Sequence, residues 1–383
     1  MNILAIDLGS TQFKFGLFDG EARLLRQCSM PVGYCGSSFD RLPMKETLVA
    51  WQNGVSELCQ NCTPDAISIS SQAQTFTLLD ADGSARHFHS WRRVSPDEII
   101  AEARMHFAKL DFAGNVSFCE PCQGMALVIL KELRKNNELP EAFGHLAFLP
   151  EYLHFLLTGI YAIDENQAAM TGLFSRIKRT WWQPALEWLG LSQAKLGRTV
   201  PAGSISARTM EGNIFGLKCG IPVILAGNDQ TAGAFGADVQ PGQVFISLGT
   251  AFAAYAVLSK PATIPGGASG EYYDKGFYAL KTASLGGGDL SALVQKASGG
   301  DYGRFFSSDF QEMPEFRKII TGLAETVYAL NPRATDVIVA GGASKSGQFL
   351  EALRIGLGLP LRKCDASPML GGARLALRAI DGN

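Results

Sequence analysis

The chain has 383 residues, 46% of them hydrophobic and 18% charged, and its 34 basic and 36 acidic side chains leave a net charge of −2. Such a length predicts two domains, and the balanced charge provides no field to attract nucleic acid or anionic lipid. No apolar run reaches the roughly 18–20 residues that a bilayer demands, and MNILAIDLGS places Asp7 where a secretory signal would be apolar, so the expectation is a cytoplasmic protein without membrane or nucleic-acid partners.

In chain order, MNILAIDLG reads as an apolar strand ending in a glycine turn, with FKFGLFD as its return strand. AISISSQAQTFTLLD is extended again. Cys59 and Cys62 form one C-x-x-C pair, and Cys119 and Cys122 form another. The interval between the pairs far exceeds the roughly 15–20 residues of a zinc ribbon, and no histidine cluster accompanies them, so no zinc is expected. MALVILKELRKNN and LPEYLHFLLTG carry helical spacing of apolar residues. In the second half, IPVILAGNDQTAGAFGA, YALKTASLGGGDLSALVQKAS and TDVIVAGGASKSGQFLEALRIGLG share one order: β-branched run, small-residue turn, helix. Gln243–Leu258 reads as a hairpin between them. The chain is α/β in both halves.

Three stretches carry candidate chemistry. Ile6-Asp7-Leu8-Gly9-Ser10 recurs in the same frame as Ile246-Ser247-Leu248-Gly249-Thr250. Glycine at such a turn admits a bound group close to the backbone, and the neighbouring hydroxyl and N–H groups suit phosphate oxygens. Tight hairpins alone would also produce this pattern. Gly341-Gly342-Ala343 follows the strand DVIVA and opens a helix, which suits a nucleotide. It is not a Walker A loop, because Gln348 stands where that loop requires lysine, and no G-x-G-x-x-G follows the first strand. In ILAGNDQTAGAFGAD, Asp229 stands among residues of minimal bulk. By itself it reads first as a helix cap, to which aspartate is well suited, and second as a base aimed at a ligand.

Together, IDLGST, GNDQTAGAFGA, SLGTA and VAGGASKSGQFLEALRIGLGLPL resemble, in that order, the FGGY carbohydrate kinases of the actin-like ATPase superfamily. SSQAQTF, LPEYLHFLLTG, MTGLF and SPMLGGARLALRAI extend the resemblance over nearly the whole chain. It implies two actin-like, ribonuclease H-like α/β domains, 1–220 and 221–383, with a nucleotide and sugar cleft between them. It also implies an ATP- and Mg²⁺-dependent transfer of the γ-phosphoryl group to a small sugar or polyol. Asp7 then matches the acid that orders Mg²⁺ through water, with Asp229 also near the metal. Ser10, Thr11 and Lys14 lie where the first phosphate loop approaches the γ-phosphate. Gly249 and Thr250 match the second loop, and Gly341, Gly342 and Ala343 match the adenosine motif. Asp229 falls on the catalytic base.

On the sugar side, the resemblance points to Gln72, Gln74, Trp91, Arg92, Asn228 and Asp229. The acid often found in the Trp…Arg segment is missing here, and its spacing is shorter. The short interval between Thr250 and Ala340 implies lost insertions, and Asp289 stands where an aromatic is frequent. A homodimer is compatible with the family. Another actin-like ATPase, or a non-catalytic sugar or nucleotide sensor of the same fold, is the rival reading. Retention of Asp7, Asp229 and Thr250 argues against the sensor.

Overall fold

In β1 (Ile3–Leu8) all six residues are buried. Leu4, Ile6 and Leu8 face one apolar cluster while Ile3 and Ala5 face another, so the strand must lie inside a sheet covered on both sides. The structure is a computed structural model and describes all residues except 37, 38, 250 and 383. It divides into two units, Met1–Ala232 with Pro368–Asn383, and Gly233–Ser367.

In the first unit β1 pairs antiparallel with β2 (Gln12–Phe18), which pairs with β3 (Leu24–Pro31). On its other side β1 runs parallel to β4 (Ala66–Ser71). The sheet also contains β5 (Ile205–Arg208) and β6 (Pro222–Asn228), in the order β5-β6-β4-β1-β2-β3. The helix Met44–Cys59 covers one face, burying Trp51, Val55 and Leu58 among Leu4, Ile6 and Phe15. The helix Pro368–Asp381 covers the other, with Met369, Ala373 and Ala376 against Ile3, Ala5 and Ile224. A separate four-stranded sheet contains Phe76–Leu79 and His87–His89. Nearby helices enclose a third core in which Trp182 stacks on Phe107 at 5.2 Å.

The second unit repeats the plan. The hairpin β7 (Gln243–Leu248) and β8 (Phe252–Leu258) forms as the sequence predicts. With β9 (Ala268–Glu271), β10 (Phe277–Thr282), β11 (Asp336–Ala340) and β12 (Leu361–Lys363) it makes a sheet ordered β9-β10-β8-β7-β11-β12. β7 is parallel to β11, as β1 is to β4. The echoed frames therefore occupy equivalent places: β1 ends at Leu8 and β7 at Leu248, each just before its glycine.

The expected boundary at 220/221 is corrected. β6 hydrogen-bonds in parallel to β4, so Asn228 and Asp229 belong to the first unit, and the final helix also packs there. The small-residue run after Asp229 obscures this break, because it reads as one continuous strand–helix element.

Candidate active site

Because β1, β4 and β6 run parallel, their carboxyl ends lie along one edge, where open α/β sheets bind ligands. Asp7 stands near the end of β1, paired in register with Lys14 on β2 and Ser70 on β4. The Ser70 hydroxyl donates to Asp7 Oδ1 at 3.2 Å. Asp7 is only 3% exposed. Burial pushes its carboxyl up to about 7, and the negative Asp229 adds to the shift; Lys14 and the Ser70 bond pull it down.

Asp229 opens the helix Asp229–Gly236 directly after β6. Its Oδ1 accepts from the Gln230 N–H at 2.8 Å. The helix start favours the ionised form, yet burial outweighs it and raises the group to about 6, against the lowering effects of the Gln230 N–H and Lys14. A carboxyl at about 6 is still largely ionised at neutral pH.

The cap of this helix is its neighbour. Asn228 Oδ1 accepts from the Thr231 N–H at 2.9 Å, the bond an N-cap makes. Asn228 Nδ2 donates to Asn166 Oδ1 at 2.8 Å and to Met170 Sδ at 3.0 Å. At 1% exposure and with every amide group in use, Asn228 holds the helix start that carries Asp229. Gly227 has φ +82°, and the β4–β6 register shifts between Leu225 and Asn228. Such a bulge re-aims the residues after it, and glycine adopts that backbone without a Cβ penalty.

A second cluster lies in the same unit. Gln72 Oε1 accepts from Trp91 Nε1 at 2.7 Å and from the Tyr34 hydroxyl at 3.3 Å. The Arg92 guanidinium lies 4.5 Å over the Tyr34 ring and 5.7 Å from that of Trp91, and its Nη2 donates to the Ser10 carbonyl at 3.3 Å. Tyr34 was missed by sequence reasoning: it lies outside any periodic segment, and nothing in its spacing marks it.

Gln74 is corrected. Its Oε1 accepts from the Ala126 N–H at 2.8 Å and its Nε2 donates to the Met170 carbonyl. Both amide groups therefore tie helices together at a left-handed position, φ +74°. Arg93 is likewise structural, held by Glu132 at 2.7 and 3.0 Å. Trp91 remains 39% exposed, available to a ligand.

In the second unit a cavity of about 610 Å³ is lined by Gly249, Gly287, Gly342, Ala343, Tyr302 and Phe306, among others. Gly341 stands just behind it, with its missing Cβ 2.7 Å from the Leu248 carbonyl. Ser291 and Tyr302 join the lining without any motif having marked them, and Gln348 lines it too. Asp289 accepts from the Gly286 N–H at 2.8 Å and caps its own helix. Thr250 lies outside the described residues. Burial raises the Cys59 and Cys122 thiols to about 11.

Residues 2–236 match the amino-terminal domain of the FGGY carbohydrate kinases, more than half of the chain. The chain belongs to the FGGY family of carbohydrate kinases. An autoinducer-2 kinase from Yersinia enterocolitica is 33% identical over 125 residues, 32% of this chain and 24% of that protein. The chain thus aligns with about a quarter of the length of that curated relative. Among solved structures, xylulose kinase from Lactobacillus acidophilus superposes with a TM-score of 0.88 at 17% identity, over 100% of this chain and 90% of that one. Glycerol kinase from Plasmodium falciparum, solved with ADP, gives 0.85 at 16% identity over 100% and 90%. At such identities the likeness shows the fold, which is the two-domain actin-like α/β fold of this family. No helix among the described residues is long and apolar enough to cross a membrane.

Proposed function

We propose that this FGGY protein transfers the γ-phosphoryl group of ATP to a hydroxyl of a small sugar or polyol, with Asp229 as general base. The observation that carries this reading is the meeting of Asp7, Lys14 and Asp229 along one sheet edge, with Asp229 held in place by a capped helix start and a glycine bulge. The glycine-lined cavity of the second unit supplies the matching feature for an adenosine group.

Phosphoryl transfer to an alcohol needs alignment, neutralisation of phosphate charge and an acceptor for the hydroxyl proton. Lys14 provides positive charge beside both carboxylates. Ser10 and Thr11, in the turn after β1, offer backbone and hydroxyl donors to phosphate oxygens. Asp229 accepts the proton. A weak base suffices because the proton can leave late in a loose transition state. Asp7 and Asp229 are hard oxygen donors, too few for a complete cage but suited to a Mg²⁺ that keeps several waters and arrives on the phosphates. When bound, that ion would neutralise charge on the phosphates, with Asp7 as its principal holder. The cytoplasm supplies ATP, and the reading places the enzyme there.

The test is ADP release from Mg-ATP with ketoses, aldoses, polyols and sugar acids. Acceptor-dependent turnover is expected, and Asp229→Asn should lower kcat by about 10²–10⁴-fold. Turnover that no acceptor raises, or that survives Asp229→Asn unchanged, sinks the proposal.

A further inference from the structure

Gln72 is 4% exposed, and its amide has one permitted orientation. The Trp91 indole N–H can only donate, so the atom facing it must be Oε1. The Tyr34 hydroxyl occupies the second acceptor direction. Gln72 Nε2 is then left buried, with no partner among the described residues. Arg92 Nε is in the same condition. A buried donor without an acceptor costs about 1–3 kcal/mol, and both lie around one tyrosine ring.

The neighbouring arginine shows how this region satisfies a guanidinium when the need is structural. Arg93 takes Glu132 at 2.7 Å, with Glu138 at 3.5 Å and Asp40 at 3.8 Å. Arg92 forms no ion pair among the described residues; its guanidinium meets the Ser10 carbonyl and the faces of two rings. The cluster therefore presents unmatched donors and an unmatched positive charge, and no acceptor to balance them. A neutral polyol hydroxyl could accept one of these bonds but would leave the guanidinium charge without a counter-charge. A carboxylate accepts only, carries the complementary charge, and suits the guanidinium fork.

We propose that the acceptor substrate is a sugar acid, such as an aldonate, whose carboxylate is bound by Gln72 Nε2 and Arg92 while a hydroxyl elsewhere on its chain is phosphorylated. This rests on the kinase reading above and narrows its substrate class. The carboxylate is a handle for recognition and takes no part in the transfer. Trp91, half-exposed beside it, offers an apolar face to the carbon chain.

The experiment compares matched compounds of one carbon skeleton, D-gluconate against D-glucitol and D-glucose, and D-xylonate against xylitol and D-xylulose. kcat/KM is measured with Mg-ATP, and binding is measured by calorimetry without nucleotide. The aldonates are expected to lead by a factor on the order of 10–100. Arg92→Gln should remove most of that lead through KM, and Gln72→Glu should reverse it in favour of the neutral compounds, with thermal unfolding confirming that both variants fold. If a polyol or ketose is preferred, or Arg92→Gln lowers all substrates equally, the proposal is overturned. Aldonate binding without turnover would keep the anion site and sink the kinase reading instead. Failure of every aldonate to bind at millimolar concentration overturns the anion site.

Discussion

Asn228 and Asp229 show how adjacent side chains divide two tasks that either could perform. Asparagine and aspartate are nearly equal as helix caps, but the cap must also be uncharged to sit at 1% exposure against the Asn166 amide and the Met170 sulfur. The charged member of the pair is then free of the capping bond. Asn228→Ala should cost about 1–2 kcal/mol in urea unfolding and also lower kcat, since Asp229 loses its support. Asn228→Ser should recover most of the stability by restoring a hydroxyl cap. Equal activity in Asn228→Ala and the parent would show that Asp229 needs no such positioning. The residue types of this pair were legible in the sequence, but their division of labour was not. Which of two neighbouring polar side chains faces inward depends on the bulge at Gly227, a departure from regular strand geometry that no periodicity reveals.

At the level of elements, the turn after β7 is held by an unusually close neighbour. A Cβ added to Gly287, at the start of the helix Gly287–Ser298, would stand 2.1 Å from the Gly249 carbonyl oxygen. Neither backbone can yield cheaply, because Gly249 follows a fully paired strand and Gly287 begins a capped helix. Gly287→Ala should therefore destabilise by about 1–3 kcal/mol and raise the KM for ATP more than it lowers kcat, because both glycines line the cavity. An unchanged KM for ATP would count against the cavity as the nucleotide site. The repeated Ile-x-Leu-Gly frame was the sequence's best guide to architecture, since it fixed two equivalent hairpin ends. The sugar side was less legible. Gln72 and Gln74 were both named from the motif that carries the family resemblance. The left-handed backbone at Gln74 turns it into the helical core.

Over the whole molecule, the buried titratable groups of the first unit oppose one another. Burial lowers His89 to about 3, helped by His87, Arg93 and Arg41, and lowers His154 to about 4. A folded value below the unfolded one means stability that is full above about 6.5 and lost as pH falls. Asp7 at about 7, with Asp164 and Asp229 at about 6, act in the reverse sense: their contribution is full below about 3.8 and lost as pH rises through 6–7. Lowering the pH from 8 to 6.5, where only the carboxyls respond, should therefore raise urea midpoints modestly. Below 6.5 the histidines add a destabilising limb. His89→Gln should flatten it by about 2 kcal/mol at pH 5, and an unaltered acid limb would refute the buried neutral imidazole. The domain boundary was the least legible feature at this scale, because a chain that returns to its first sheet leaves no mark in local composition. That return has a consequence for biosynthesis. One face of the first sheet, with Ile3, Ala5, Ala66 and Ile224, is covered by the helix Pro368–Asp381. During translation the ribosome must complete the entire second unit, roughly ten seconds or more of elongation, before that cover emerges. Until then the nascent chain carries a bare apolar sheet face, which is the surface a chaperone would hold and at which premature association would begin.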